Sequence, residues 1–100
     1  MAKLHVSVPH QLSQEEALRR VRKAIVSAKD QNSDKIRGLQ ESWDGYTGTF
    51  SGKALGYSAK GTLTVNLTDV LVESDLPLFA SPFKSKLEAA ITDMLTRLLA

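Results

Sequence analysis

The chain passes from its last strand to its last helix in the segment Asp75-Leu-Pro-Leu-Phe-Ala-Ser-Pro-Phe-Lys-Ser-Lys-Leu-Glu-Ala-Ala-Ile91. Pro77 is expected to end the strand, because proline has no N–H to donate to a central ladder. Pro82 suits the first position of a helix, where that N–H would be unpaired anyway. The segment therefore places four large apolar residues at one bend of the chain, here called the apolar corner: Leu76, Leu78, Phe79 and Phe83.

Helical periodicity follows the apolar corner and predicts a helix over residues 82–99. Apolar residues recur there every three or four positions, which is the spacing of one helix face. We expect this stripe to face the core, with Ala90 and Leu95 widening it. Its members are Phe83, Leu87, Ile91, Met94 and Leu98.

A second amphipathic helix is predicted nearer the N-terminus. Ser13-Gln-Glu-Glu16 has the form of a capping box, in which the Ser13 and Glu16 side chains bond to each other's main-chain N–H groups. We expect the helix to run to about residue 30, where turn-forming residues follow. Its apolar stripe comprises Leu18, Val21, Ile25 and Ala28, and its polar face carries Arg19, Arg20, Arg22 and Lys23.

Alternating apolar and polar residues predict five strands, the first over residues 4–8. Asp44-Gly45 is typical of a tight hairpin turn. Gly52 and Gly56 are expected to mark a second, looser turn or a bulge. The later strands are expected at residues 39–43, 46–51, 62–65 and 70–76.

The order of strand, helix, four strands and helix indicates one α+β domain over residues 1–100. Short connections make the last four strands antiparallel neighbours. Both helix stripes need an apolar partner, so we expect a curved antiparallel sheet with both helices packed on one face. The other face is expected to meet water, and it would carry Ser42, Thr47, Thr49, Ser51, Thr62 and Thr64.

The composition fits a single small core, because 42% of the 100 residues are hydrophobic. The absence of cysteine excludes disulfides and fits a cytoplasmic location. We expect neither a secretion signal nor a membrane span, since no window approaches ~20 apolar residues. Residues 1–37 hold eight Lys or Arg against four Asp or Glu, and residues 38–100 hold five against seven. This asymmetry permits an acidic partner.

Three stretches of the chain form a familiar set. The first is His10-Gln-Leu-Ser-Gln-Glu-Glu-Ala17 followed by an arginine-rich helix, and the second is Trp43-Asp-Gly-Tyr46 with Phe50 and Gly61-Thr-Leu-Thr-Val65. The third is Asp75-Leu-Pro-Leu78 with Pro82-Phe-Lys-Ser-Lys-Leu-Glu-Ala-Ala-Ile91. In this order they resemble the polyhydroxyalkanoic acid system family, small bacterial proteins encoded near polyester-granule genes. The resemblance implies a link to polyhydroxyalkanoate storage and carries no assigned active site. One departure is the segment 53–60, which is longer than the usual link between the middle strands.

No residue pattern points to a catalytic or metal centre. His5 and His10 are the only imidazoles, and the chain has no Gly-x-Ser-x-Gly elbow to supply a nucleophile. Two histidines without cysteine do not make the three or four ligands of a zinc site. Glu41, Glu73 and Asp75 are too scattered to bind a hard cation. We therefore expect a non-enzymatic protein without cofactor or metal, in which His10 has a structural role in a loop.

The basic first helix permits weak nucleic-acid binding, although a solvated surface is the simpler interpretation. Glu15 and Glu16 lie four residues before Arg19 and Arg20, the spacing of surface ion pairs on a helix. An RNA-binding sheet would also need exposed aromatic residues for base stacking. The aromatic residues near the hairpin are expected in the core instead: Trp43, Tyr46 and Phe50.

The leading hypothesis is a non-catalytic accessory protein that binds the granule surface or a granule protein through the apolar corner. Lys84 and Lys86 flank that corner, and their charges would keep the protein soluble until the corner binds its partner. Two alternatives stay open. One is a homo-oligomeric structural module that uses the corner or the Ser/Thr sheet face, and the other is a weak nucleic-acid binder acting through the first helix.

Overall fold

A computed structural model describes the backbone of residues 2–31, 36–54, 57–76 and 82–100, and most of their side chains. The described part has five strands and two helices in the predicted order. Each boundary lies within a few residues of its prediction, except around the second hairpin. The elements are β1 (Ala2–Pro9), α1 (Gln14–Gln31), β2 (Ile36–Asp44), β3 (Thr47–Ala54), β4 (Tyr57–Val65), β5 (Asp69–Leu76) and α2 (Lys84–Leu98).

The five strands form one open antiparallel sheet in the order β1-β5-β4-β3-β2. Strands β2 to β5 follow one another as hairpin neighbours, as the short connections predict. Strand β1 lies beside β5, with Val6 opposite Val72 and Ala2 opposite Leu76. The two edges of the sheet are therefore β1 and β2.

One face of the sheet is apolar and the other is polar, because side chains alternate between the faces along each strand. In β1, Leu4, Val6 and Val8 are buried, whereas the intervening residues are exposed. The register carries this division across all five strands. The apolar row reads Val6, Val72, Leu63, Gly48, Trp43, and the polar row reads His5, Glu73, Thr62, Thr49, Ser42.

Both helices pack on the apolar face of the sheet. Ala17 and Val21 of α1 are buried in the same cluster as Leu95 of α2 and Val65 of β4. The predicted α+β class, with its antiparallel sheet and both helices on one side, is thereby confirmed. The predicted polar face is confirmed too, since Ser42, Thr49 and Thr62 are exposed there.

The two hairpins of the meander differ in how well the sequence predicted them. Gly45 has a φ of 61°, the left-handed conformation that the Asp44-Gly45 turn requires. The predicted turn at Gly52 is not formed, because Gly52 lies inside β3 and pairs with Ala59. The alternative prediction, a bulge, fits the pairing of β2 with β3, whose register shifts between Arg37 and Gln40, opposite Gly52. The pairing continues to Ala54 opposite Tyr57, so most of the segment 53–60 belongs to two strands. Gly56 lies outside the described residues.

The start of α1 uses half of the predicted capping box. The main-chain N–H of Glu16 donates to the Ser13 hydroxyl over 3.1 Å. The Glu16 carboxylate does not return a bond to Ser13 but binds Arg19 and Arg20. Leu12, just before the cap, packs against the core as a staple would. The cap therefore fixes the helix start, and the carboxylate is used for ion pairs.

Candidate docking surface on the last helix

Helix α2 is held against the edge of the sheet by its C-terminal half. Leu95 and Leu99 are buried in the core, and Ile91 and Leu98 pack against it. On the side nearest β1, a Glu88 carboxylate oxygen accepts a hydrogen bond from the main-chain N–H of His5 at 3.0 Å. These contacts fix which face of the helix meets the sheet.

The apolar residues on an adjacent face of α2 are left in water. Phe83 is 55% exposed, Leu87 39% and Met94 54%. Spacings of four and seven residues place side chains on one face of a helix that turns about 100° per residue. Ala90, also exposed, completes the row. We call these residues the exposed α2 stripe: Phe83, Leu87, Ala90 and Met94.

The prediction that one apolar stripe of the last helix faces the core is wrong for Phe83, Leu87 and Met94. The helix is apolar over a wide arc, and the buried side is the one centred on Leu95 and Leu99. Periodicity gives the width of an apolar arc, but contacts with the sheet decide which part of it is buried. The remainder of the arc is available to another molecule.

The predicted apolar corner is only partly described. Of its members, Phe83 is exposed and begins the exposed α2 stripe. Lys84, placed beside the corner, is half-buried. Leu78 and Phe79 lie outside the described residues, as does the side chain of Leu76. The surface role assigned to these residues from the sequence stays a prediction.

Exposed apolar residues elsewhere in the described part of the chain stand alone. Val26 on α1 is 57% exposed, and Leu67 in the turn between β4 and β5 is 73% exposed. Isolated residues of this kind are common on protein surfaces, whereas a contiguous row marks an interaction site more often. The exposed α2 stripe is therefore the better candidate.

The polar face of the sheet carries hydroxyl groups and charged residues, and charges of opposite sign lie opposite each other on neighbouring strands. A shallow depression of about 430 Å³ on this face is lined by Lys3, His5, Lys60 and Asp75, among others. Asp75 lies opposite Lys3 on one side and Lys60 on the other. Opposite charges in this arrangement stabilise a sheet without any ligand. In the described residues, no group of three or more His, Asp or Glu lies close enough to bind a metal ion.

His10 is buried and uses both ring nitrogens to hold two segments together. Its Nδ1 accepts a hydrogen bond from the Leu12 N–H at 3.1 Å, and its Nε2 lies 3.0 Å from the Asn66 carbonyl oxygen. Because Nδ1 is the acceptor, Nε2 carries the proton and donates it to Asn66. The ring thus links the β1–α1 connection to the β4–β5 turn, which is the structural role expected from the sequence.

Of the three aromatic residues predicted to lie in the core, Trp43 and Tyr46 pack against it, and Phe50 is half-buried beside Trp43. The rings of Trp43 and Phe50 meet edge to face, with centroids 5.9 Å apart. The guanidinium of Arg22 stands 5.5 Å from the centroid of the Trp43 ring, a cation–π contact. The register places Trp43 and Phe50 on the face opposite the polar row, whereas an RNA-recognition sheet presents aromatic rings on its open face.

Of the two ion pairs that helix spacing predicts on α1, the Glu16–Arg20 pair is formed and the Glu15–Arg19 pair is not. Glu15 accepts a hydrogen bond from the Tyr46 hydroxyl at 2.8 Å and does not pair with Arg19. This hydrogen bond lowers the pKa of the Glu15 carboxyl and raises the pKa of Tyr46. Glu16 instead binds both Arg19 and Arg20. Tertiary contact with the first hairpin therefore replaces one of the two expected ion pairs.

No helix in the described part of the chain is long and apolar enough to cross a bilayer. Comparison with curated protein sequences gives no match. Among solved structures, TTHA0849 from Thermus thermophilus is 10% identical, with a TM-score of 0.40 over 98% of this chain and 92% of that chain. A likeness this distant supports no functional argument.

The sequence profile of one protein family covers almost the whole chain. It matches residues 4–99, and its description is "Putative polyhydroxyalkanoic acid system protein". The matched range includes both helices, four complete strands and β1 from Leu4 onwards. The chain therefore belongs to the polyhydroxyalkanoic acid system family.

Proposed function

We propose that this protein is a non-catalytic accessory protein of polyhydroxyalkanoate storage that binds the granule surface through the exposed α2 stripe. The observation that carries the proposal is the row of Phe83, Leu87 and Met94, three large apolar side chains left in water on one helix face. Membership of the polyhydroxyalkanoic acid system family supports the choice of the polymer granule as the partner.

The stripe supplies a moderate docking energy. Burying a large apolar side chain completely contributes about 1.5–3 kcal/mol. The three side chains are roughly half exposed, so covering them would contribute on the order of 2–4 kcal/mol before entropy losses. Firm attachment needs a larger contact. Phe83 belongs both to the stripe and to the apolar corner defined from the sequence, and the other members of that corner are the further contacts that we propose: Leu76, Leu78 and Phe79.

The helix presents the stripe at little cost in conformational entropy, because α2 is already fixed on the sheet. Leu95 and Leu99 are buried, and Glu88 is bonded to the backbone of β1. A surface that is rigid before binding loses less freedom when it docks. The stripe can therefore meet a broad apolar surface without rearrangement of the core.

A non-catalytic role is supported by the environment of the two histidines. Both ring nitrogens of His10 bind main-chain groups. His5 is exposed on the polar face, where its neighbour across the strand pair is Glu73. Neither arrangement joins a nucleophile to a base and an orienting carboxylate, which is the geometry of a hydrolase triad.

The test is cosedimentation with isolated polyhydroxyalkanoate granules. The double variant Phe83→Ser/Leu87→Ser should be retained by the granules much less than the unmodified protein, because it removes the N-terminal half of the stripe. The matched control is Val26→Ser/Leu67→Ser, which removes the two isolated exposed apolar residues and should be retained normally. Thermal unfolding of both variants checks that the fold persists. Equal retention of the two double variants would contradict the proposal.

A second copy of the chain is the main competing occupant of the stripe. Sedimentation velocity at several concentrations separates the two cases. A monomer that still binds granules fits the accessory role. A dimer that Phe83→Ser/Leu87→Ser dissociates, with no granule binding by the unmodified protein, would instead favour the homo-oligomeric module.

A further inference from the structure

A cleft of about 450 Å³ lies where the end of α2 meets the middle of α1. Three of its cationic side chains come from α1 and the fourth from α2, so only the folded chain brings them together. Ser27 of α1 also lines the cleft and offers a hydroxyl. The cationic residues of the cleft are Arg19, Arg20, Lys23 and Arg97.

The positive charge of the cleft is only partly neutralised. Glu16 binds both Arg19 and Arg20, and the Arg19 hydrogen bond lowers the pKa of that carboxyl, which keeps it ionised. Asp93 lies 3.3 Å from Arg97, with both side chains largely in water. Among the described side chains, no carboxylate lies within ion-pair distance of Lys23. Four cations thus face two carboxylates.

The spacing of the cleft walls is fixed by Arg20. Its Nη1 donates to the Leu98 carbonyl oxygen at 3.1 Å and to an Ala100 main-chain oxygen at 2.8 Å. These bonds hold the end of α2 on α1 and leave Arg20 little capacity for a ligand. Lys23 is therefore the cation most available to a ligand, whereas Arg97 and Arg19 share their donors with Asp93 and Glu16.

We infer that this cleft binds a phosphate group, carried either by a soluble phosphate compound or by a lipid headgroup. Arginine matches phosphate oxygens with two parallel N–H groups, and lysine adds a compact charge. Arg97 and Lys23 approach from opposite helices, so a phosphate between them would meet donors on two sides. A diphosphate has the size and charge to span the cleft.

The position of the cleft makes a lipid headgroup one of the two sources worth testing. Met94, the last member of the exposed α2 stripe, lies three residues before Arg97, which places the two on neighbouring parts of one helix surface. A lipid bound here would place its anionic headgroup in the cationic cleft and its apolar chain along the exposed α2 stripe. The cleft is defined by its own residues, so the inference does not depend on granule binding.

Titration calorimetry with inorganic pyrophosphate tests the site directly. Binding should weaken about tenfold for each cation removed, as expected for the loss of a charged hydrogen bond. The double variant Lys23→Gln/Arg97→Gln should therefore lose nearly all affinity. The control Lys3→Gln/Lys86→Gln removes the same net charge from exposed positions outside the cleft and should bind as the unmodified protein does.

Vesicles of phosphatidylglycerol and of phosphatidylcholine identify the source of the phosphate. Binding of pyrophosphate in solution supports a soluble ligand. Binding to the anionic vesicles alone, lost in Lys23→Gln/Arg97→Gln, supports a headgroup. The inference is overturned if the unmodified protein binds neither probe, or if the control weakens binding as much as the cleft variant. Phe83→Ser/Leu87→Ser should keep its pyrophosphate affinity, which separates this test from that of granule docking.

Discussion

Glu88 of α2 and His5 of β1 are joined by a hydrogen bond from the His5 main-chain N–H to the Glu88 carboxylate, 3.0 Å long. Strand β1 is an edge of the sheet, so its outward N–H groups have no partner strand. Exposed edges of this kind can pair with another chain and aggregate. The carboxylate therefore covers a vulnerable donor and at the same time orients α2.

Replacing Glu88 by Ala should reduce the free energy of unfolding by about 1–2 kcal/mol, the usual cost of leaving a charged hydrogen bond unmade. Glu88→Gln keeps an acceptor oxygen and should lose less than half as much. Urea denaturation of the two variants measures the difference. Equal losses would show that the hydrogen bond to His5 contributes nothing and that only the charge of Glu88 matters.

Arg20→Ala should destabilise the protein by about 1–3 kcal/mol, because two main-chain oxygens at the end of α2 lose their donor. Arg19→Ala is the matched control. It removes an exposed ion pair from the same helix, so its effect on the free energy of unfolding should be much smaller. Hydrogen exchange of the last turn of α2 should increase only in Arg20→Ala. Similar exchange in both variants would contradict the anchoring role.

Tyr46→Phe should raise the pKa of Glu15 towards 4.5, its ordinary value, because the Tyr46 hydroxyl is the main cause of the lowering. This hydrogen bond stabilises the folded protein at pH values above the ordinary pKa of a carboxyl group, where Glu15 is ionised in both the folded and the unfolded state. That stabilisation disappears as the pH falls through the lowered pKa. Carboxyl NMR titration measures the midpoint. Glu16, whose pKa is lowered by Arg19, serves as the internal control and should not change. An unaltered Glu15 midpoint would contradict the assignment.

Gly48→Ala should cost about 1–3 kcal/mol, the range for overpacking a filled site. A Cβ at Gly48 would lie 2.8 Å from a ring carbon of Trp43 and 3.0 Å from one of Phe50. The near-ultraviolet circular dichroism of Trp43, the only tryptophan, should change as its ring moves. Thr49→Ala, on the polar face of the same strand, should leave that signal unaltered. A stable Gly48→Ala variant with an unchanged signal would mean that the added methyl group fits without moving the Trp43 ring, which would contradict the prediction.

Features encoded by a few neighbouring residues were predictable from the sequence. Alternation in residues 4–8 identified the faces of β1, and Asp44-Gly45 identified the first hairpin. The choice between a turn and a bulge at Gly52 could not be made from the sequence, because a glycine inside a strand and one in a turn look alike there. The pairing of Gly52 with Ala59, which keeps it in β3, depends on the partner strand.

The candidate site could be predicted only in part, because its exposure depends on distant contacts. The apolar content of the last helix was visible, and so was its helical spacing. Leu95 is buried and Met94 is exposed because of the way α2 is rotated against β1. The hydrogen bond between Glu88 and the main chain of His5 helps to fix that rotation. Those two residues are 83 positions apart, so no local pattern records their contact. The Arg22–Trp43 contact was missed for the same reason.

The pairing of Ala2 with Leu76 has a consequence for how the protein is made. During translation, β1 leaves the ribosome long before β5, the strand that completes its ladder. Until then Leu4, Val6 and Val8 have no sheet to join, and α1 is the one neighbouring element of their core that has already been made. Sequence-distant pairing of this kind slows folding, because a long loop must close before the contact forms. The nascent polypeptide thus stays incomplete until nearly the whole domain has been synthesised.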